Sequence, residues 1–98
     1  MKIEKDKYYI VRSVKAGVYF GHIEEQNGQE VTMTECRCLW YWSGAASLNQ
    51  MANTGVKQPN NCKFSVMVDN LTLFGVDEIL PCTQEAVDCI KGVKEWKV

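Results

Sequence analysis

The run of residues 36–48 holds the side chains best suited to binding chemistry. It contains an arginine, a tyrosine and two of the three tryptophans, and it reads Cys-Arg-Cys-Leu-Trp-Tyr-Trp-Ser-Gly-Ala-Ala-Ser-Leu. Aromatic rings stack on flat bases, and a guanidinium group can bind a phosphate through two hydrogen bonds. The combination predicts a site for a ligand that carries both a base and a phosphate. The side chains expected to contact that ligand are Arg12, Arg37, Trp40, Tyr41, Trp42, Asn49 and Lys57.

A second interpretation places the same aromatic residues in the core or between subunits. Tryptophans beside a Gly-Ala corner commonly pack there, and the two arginines can pair with Glu30 or Glu35. An exposed apolar surface on so small a domain predicts at least a dimer. A homo-oligomeric protein–protein interaction module without a small ligand is therefore the alternative hypothesis.

Groups that could carry out catalysis are few. The only histidine, His22, falls on a predicted strand with Val18 and Phe20, where a packed or partly exposed imidazole is a simpler interpretation than a catalytic one. The adjacent carboxylates at 24–25 and 77–78 are expected to point to opposite faces of their strands. No dinucleotide-binding, P-loop or zinc-protease motif is present. We expect a non-enzymatic protein without a cofactor.

Five cysteines are many for this length. Their odd number, the absence of a CxxC pair and the absence of an export signal predict reduced thiols in a cytosol. A zinc site would need four converging ligands. Packing as small apolar residues is the favoured interpretation for Cys62, Cys82 and Cys89.

Length and charge limit which classes of protein this chain can belong to. The 98 residues, 46% of them apolar, predict one domain spanning 1–98. A net charge of −1 gives no general attraction to phosphate backbones, so single-stranded nucleic-acid binding is a weaker alternative. No apolar run is long enough to span a bilayer, and the charged first seven residues do not resemble a signal peptide. The sequence predicts a cytoplasmic protein with no membrane partner.

The predicted elements begin with an antiparallel meander. Strands are expected over 8–14, 18–25 and from residue 30 into the central run, with Asn27-Gly28 as a type I′ turn and a bulge or bend near 35–37. The two-residue period would place Cys36, Cys38, Trp40 and Trp42 on one face of a central strand, and Arg37, Leu39 and Tyr41 on the other.

The second half predicts two helices and two more strands. Ser47 and Gln50 form a capping box for a short helix that ends before Gly55, and residues 56–61 form an exposed loop. Strands follow over 62–68 and 71–80, the latter interrupted at Gly75. Thr83 then caps a terminal helix whose lysines 91, 94 and 97 suit its carboxyl end. The fold class is α+β: a small, curled, five-stranded antiparallel sheet, or half-open barrel, with a middle and a C-terminal helix.

Several of these segments resemble a family of small uncharacterised proteins encoded in phages and prophages, known as a domain of unknown function. The resemblance rests on Tyr9-Ile10-Val11-Arg12, Ala16-Gly17-Val18, Gly28-x-Glu30-Val31, the run from Arg37 to Leu48, Gly55-Val56-Lys57 and Glu78-Ile79-Leu80-Pro81-Cys82-Thr83. It implies a viral accessory protein acting in a bacterial cytoplasm, and it carries over no catalytic residue. Together with the aromatic and arginine residues, it suggests sequestration of a nucleotide-type host defence signal.

Overall fold

The computed structural model describes all of residues 1–98 and contains six strands, two α-helices and one 3-10 turn. The strands are β1 (Tyr9–Ser13), β2 (Gly17–Asn27), β3 (Glu30–Tyr41), β4 (Lys63–Phe64), β5 (Leu71–Leu73) and β6 (Val76–Pro81). The helices are α1 (Leu48–Thr54) and α2 (Gln84–Gly92), and the 3-10 turn is Pro59–Asn61. Neither helix is long and apolar enough to cross a membrane.

The strands form one curled antiparallel sheet in the order β4-β3-β2-β1-β6, and β5 pairs with the first residues of β3. At the start of β6, the Val76 amide donates to the Gln29 carbonyl at the tip of the β2–β3 hairpin, 2.9 Å away. This bond joins the edge strand β6 to the tip of the β2–β3 hairpin, and the sheet does not close into a barrel. The α+β class with a half-open curled sheet and two helices is confirmed, with six strands where five were predicted.

Two apolar clusters lie on the two faces of the sheet. One contains Ile10, Phe20, Leu39 and Phe64 packed against both helices. The other contains Tyr9, Val11, Ile23 and Met33 inside the curl. Because β1 contributes to both clusters, it is buried on each side, which explains why its first three residues, Tyr9, Ile10 and Val11, are all buried.

The β2–β3 turn differs by one residue from the predicted type I′ turn. Asn27 pairs with Glu30, so Gly28 and Gln29 are the central residues, and only Gly28 has a positive φ, of 64°. A positive φ at the first central residue alone is the type II′ pattern. Glycine therefore supplies the turn geometry, and Asn27 ends the strand.

The predicted bulge near 35–37 is confirmed. Phe20 pairs with Arg37 but His22 pairs with Thr34, so β3 carries one extra residue here, and Glu35 has a φ of +46°. The bulge presses β3 onto Gly21, where a Cβ would lie 2.9 Å from the Cys36 Cα and 2.9 Å from the Thr34 carbonyl oxygen. Only glycine fits that position without a shift of the main chain.

The last third of the chain departs most from the prediction. Only Lys63–Phe64 and an isolated bridge between Cys36 and Val68 remain of the predicted strand 62–68. The interruption at Gly75, which has a φ of 68°, separates β5 from β6, and the two strands pair with β3 and β1 respectively.

The terminal helix is shorter than expected. It ends at Gly92, and only Lys91 lies in its last turn. Residues 93–98 form an extended tail, on which Lys94 and Lys97 lie. The tail runs beside β4, where the Trp96 amide donates to the Phe64 carbonyl at 2.8 Å.

Candidate ligand-binding site

A second bulge in β3 places two aromatic residues side by side. Leu39 pairs with Phe64 and Tyr41 pairs with Lys63, which leaves Trp40 as the extra residue. Two consecutive residues of β3 thus oppose one residue of β4, and the strict alternation of faces ends there. The prediction that Trp40 and Trp42 share one face is wrong, because Trp40 is exposed while Trp42 packs against the helix-side core.

Four side chains form what we call the aromatic–lysine surface: Trp40, Tyr41, Lys63 and Trp96. The indole rings of Trp40 and Trp96 are stacked, with centroids 6.4 Å apart and planes 6° from parallel. The Lys63 ammonium lies 5.5 Å from the Trp96 ring centre and 6.0 Å from that of Tyr41, within cation–π range. Trp40 is 65% exposed, Tyr41 53% and Trp96 50%, so most of this flat aromatic area faces solvent.

A groove of about 300 Å³ adjoins Trp96 on the tail. We call it the tail groove, and its lining residues are Pro59, Asn60, Cys62, Lys94, Glu95, Trp96 and Lys97. Glu95 pairs with Lys97 at 3.4 Å, which leaves Lys94 without a carboxylate partner. An aromatic wall, an amide and an unpaired ammonium group therefore border one recess.

Arg37 is a structural residue inside the protein. It is 3% exposed, its Nη1 donates to the Ile90 and Val93 carbonyls at 2.9 and 3.0 Å, and its Nη2 and Nε donate to the carbonyls of Phe64 and Ser65. Burial lowers the pKa of its guanidinium group, an effect that Glu95 partly opposes. The side chain caps the end of α2, where carbonyl groups lack helical partners. Four of its five N–H donors are used, so it offers no fork for a phosphate.

Arg12 is exposed but paired. Its Nη2 lies 3.2 Å from Asp77 and its Nε lies 3.2 Å from Glu78, two strands away from β3. The expectation that these adjacent carboxylates point apart is wrong, because the β1–β6 register shifts at this point and both reach one guanidinium group. The expected partners Glu30 and Glu35 are not used.

The remaining predicted residues do not join the aromatic–lysine surface. Asn49 lies on the exposed side of α1, and Lys57 lies in the exposed loop after that helix. Gly44, at the corner after β3, packs directly on the main chain of Lys57 and Gln58, so a Cβ would lie 2.5 Å from the Lys57 nitrogen. Of the seven predicted side chains, the structure brings together only Trp40 and Tyr41.

His22 belongs to a separate polar network. Its Nδ1 lies 2.8 Å from the Lys7 carbonyl oxygen and its Nε2 lies 3.3 Å from Glu35, which also accepts from the Tyr8 hydroxyl. Lys91 donates to that hydroxyl, which raises the pKa of the lysine. Both imidazole nitrogens have protein partners, so neither is directed at a substrate position. The network connects α2 to the bulge at Glu35.

The cysteines are free thiols that pack as small side chains. Cys62, Cys82 and Cys89 lie against the helix-side core, as expected. Burial raises the pKa of Cys36 and of Cys82 to about 12, so neither is a thiolate at neutral pH. No group of three or more His, Cys, Asp or Glu side chains is placed to hold a metal ion.

Periodicity in the sequence does not point to Lys63, Lys94 or Trp96 as site residues. Lys94 and Trp96 lie on the tail, where the sequence predicts a continued helix, and Lys63 pairs with Tyr41 at the bulge in β3. One signal for the earlier end of the helix is Gly92, because glycine is common where helices end.

Fold and site together define a small α+β protein with a half-open antiparallel barrel and an exposed aromatic–lysine surface. The chain belongs to the family described as Domain of unknown function (DUF6948), whose model matches residues 6–90. The match includes Trp40, Tyr41 and Lys63 and stops short of the tail that carries Trp96. No curated protein and no solved structure matched the chain.

Proposed function

We propose that this protein is a non-enzymatic binding protein that captures a small nucleotide-type ligand on the aromatic–lysine surface. The observation that carries the proposal is the position of the Lys63 ammonium between the rings of Tyr41 and Trp96, beside the exposed Trp40–Trp96 stack. A base can stack on an open indole face, and base–aromatic stacking contributes about 1–3 kcal/mol per base.

The lysines supply the second half of the recognition. A phosphate bound near Lys63 would neutralise the one positive charge of the aromatic–lysine surface, and Lys94 would be available for a second phosphate at the tail groove. Asn60 adds an amide that can bind a sugar hydroxyl or a base edge. Aromatic stacking combined with a cation for the phosphate is the recognition expected from the sequence, but Lys63 and Lys94 replace the arginines as the cations.

Binding without catalysis is the simplest use of these groups. The aromatic–lysine surface holds no thiol, imidazole or carboxylate, and Glu95, which precedes Trp96 in the chain, pairs with Lys97. On the phage resemblance, we further propose that the ligand is a signalling nucleotide made by an infected bacterial host, and that the protein sequesters it in the cytoplasm.

A fluorescence titration tests the proposal directly. Trp40 and Trp96 are exposed and Trp42 is packed, so a ligand on the surface should change the emission of two of the three tryptophans. The probes are cyclic dinucleotides, ADP-ribose and mononucleotides. We expect saturable binding of at least one, weakened at least tenfold by Trp96→Ala and about tenfold by Lys63→Glu.

Lys57→Glu is the matched control, because it makes the same charge change on an exposed loop outside the surface. Equal weakening by Lys57→Glu and Lys63→Glu would contradict the assignment of the site. Unchanged tryptophan fluorescence with every probe would refute the proposal. Binding only to single-stranded oligonucleotides, with a steep dependence on salt, would replace it with the nucleic-acid alternative.

Self-association is the second candidate function, and one observation favours it. Val66, Met67 and Val68 lie exposed along the outer side of β3, so the apolar surface continues beyond Trp40. We propose a homodimer through this face as the alternative use of the tryptophans. Light scattering should then give a dimer that Met67→Lys converts to a monomer, and a wild-type monomer at all concentrations would exclude it.

A further inference from the structure

A second recess lies away from the aromatic–lysine surface, between the β1–β2 turn and the β5–β6 turn. It measures about 440 Å³, within the range of small-molecule sites, and is bordered by Val14, Lys15, Ala16, Thr72 and Phe74. Val14 is 72% exposed and Phe74 is 66% exposed, although both are large apolar residues. The recess therefore offers apolar area that the protein itself leaves uncovered.

Hydrogen bonds between the two turns hold the walls in place. The buried Ser13 hydroxyl donates to the Phe74 carbonyl at 2.6 Å and accepts from the Ala16 amide at 3.3 Å. The Val14 amide donates to the Gly75 carbonyl at 3.2 Å. Ser13 is one of only two buried polar or charged residues, so this junction is a fixed part of the fold and the recess is preformed.

The charge in the recess has one sign. Lys15 is the only charged residue that lines it, and its ammonium pairs with no carboxylate. Phe74 is the only aromatic ring that lines the recess, and no arginine or side-chain amide accompanies it to read the edge of a base. An apolar body with one anionic end complements these walls.

We infer that this recess is a second binding site, which takes a small amphipathic carboxylate or similar anion. The apolar chain lies between Val14 and Phe74, and the anionic group faces Lys15. The site is independent of the aromatic–lysine surface, so each can fail without the other.

Octanoate is the probe, used below its micellar concentration and followed by amide chemical shifts. We expect saturable shifts confined to residues 13–16 and 72–75. Phe74→Ser should weaken binding about tenfold, and Lys15→Glu about three- to tenfold. The matched controls, Val66→Ser and Lys57→Glu, change an exposed apolar residue and an exposed lysine elsewhere and should leave binding unchanged.

Three results would overturn the inference. The first is the absence of shifts in the two turns at any octanoate concentration. The second is equal binding of octanol and octanoate with no effect of Lys15→Glu, since the anionic group would then contribute nothing. The third is a change in the same amide chemical shifts without octanoate. A change on concentrating the protein alone would identify a self-association surface, and a change only on adding phosphatidylglycerol vesicles would identify a membrane surface.

Discussion

Replacement of Arg37 tests whether this arginine stabilises the fold or binds a ligand. Its guanidinium group donates to four main-chain carbonyls in two segments of the chain, 64–65 and 90–93, at 2.9–3.2 Å. In Arg37→Met the Ser65 and Val93 carbonyls lose the donor that this side chain provides, while the Phe64 and Ile90 carbonyls keep the Trp96 and Val93 amides as donors. A buried acceptor left without a donor costs about 1–3 kcal/mol, and the lost bonds to a charged donor add to that cost. A 98-residue domain has a total stability of only about 5–15 kcal/mol, so this variant should be marginally folded.

Arg37→Lys is the more informative variant. Lysine keeps the positive charge but concentrates its donors on one atom, so it cannot span carbonyls of α2 and β4 together. We expect a loss of about 2 kcal/mol and a fall of roughly 10 °C in Tm. The assay is urea and thermal unfolding followed by circular dichroism. Arg12→Lys is the control, because Arg12 is half exposed and its ion pairs should contribute less than about 1 kcal/mol. A loss below 1 kcal/mol for both Arg37 variants would refute the structural role.

Three further predictions concern the core and the helix cap. Gly21→Ala should lower the free energy of unfolding by about 1–3 kcal/mol, because its Cβ would meet the β3 main chain. Gly92→Ala is the control and should be neutral or slightly stabilising, because nothing lies within 4 Å of the added Cβ. Equal effects of the two variants in urea unfolding would contradict the packing of the bulge on Gly21. Cys36 and Cys82 should resist iodoacetamide at pH 8 in the native protein and react in urea. Rapid labelling of the native protein would contradict their burial. Their folded pKa of about 12 exceeds the unfolded value near 9, so the stability that these thiols contribute is complete below pH 9 and is lost as the pH rises from 9 towards 12. Thr83→Ala should lose about 1–2 kcal/mol, since Thr83 caps α2 and also donates to the Asn53 carbonyl, and an unchanged Tm would count against both bonds.

Local signals in the sequence predicted much of the fold. Ser47 accepts from the Gln50 amide and Thr83 accepts from the Ala86 amide, as their positions indicated. The β-branched and aromatic residues of the first three strands are visible in the sequence because each of these strands has neighbours on both sides and packs at least one face against a core. These features depend on residues within a few positions of one another.

The candidate site could not be predicted in the same way, because its geometry depends on pairing between distant segments. The bulge at Trp40 exists only in the register of β3 against β4, and Trp96 reaches Trp40 only because the tail leaves α2 and lies along Phe64. Arg37 shows the same limit. Its type suggested phosphate binding, but its position opposite Phe20, beneath the end of α2, converts it to a cap.

Arg37 nevertheless connects the fold to the proposed site. The Phe64 carbonyl accepts from Arg37 Nη2 at 3.2 Å and from the Trp96 amide at 2.8 Å, so one carbonyl fixes both residues. Arg37 also binds the Val93 carbonyl, which sets the point where the tail leaves α2. Arg37 should therefore act on ligand binding as a positioning residue, through Trp96. If so, Arg37→Lys at a temperature where it is fully folded should weaken nucleotide binding only when Trp96 is present, and it should add nothing to Trp96→Ala. If the losses of binding free energy instead added in the double variant, Arg37 would act on the ligand independently of Trp96.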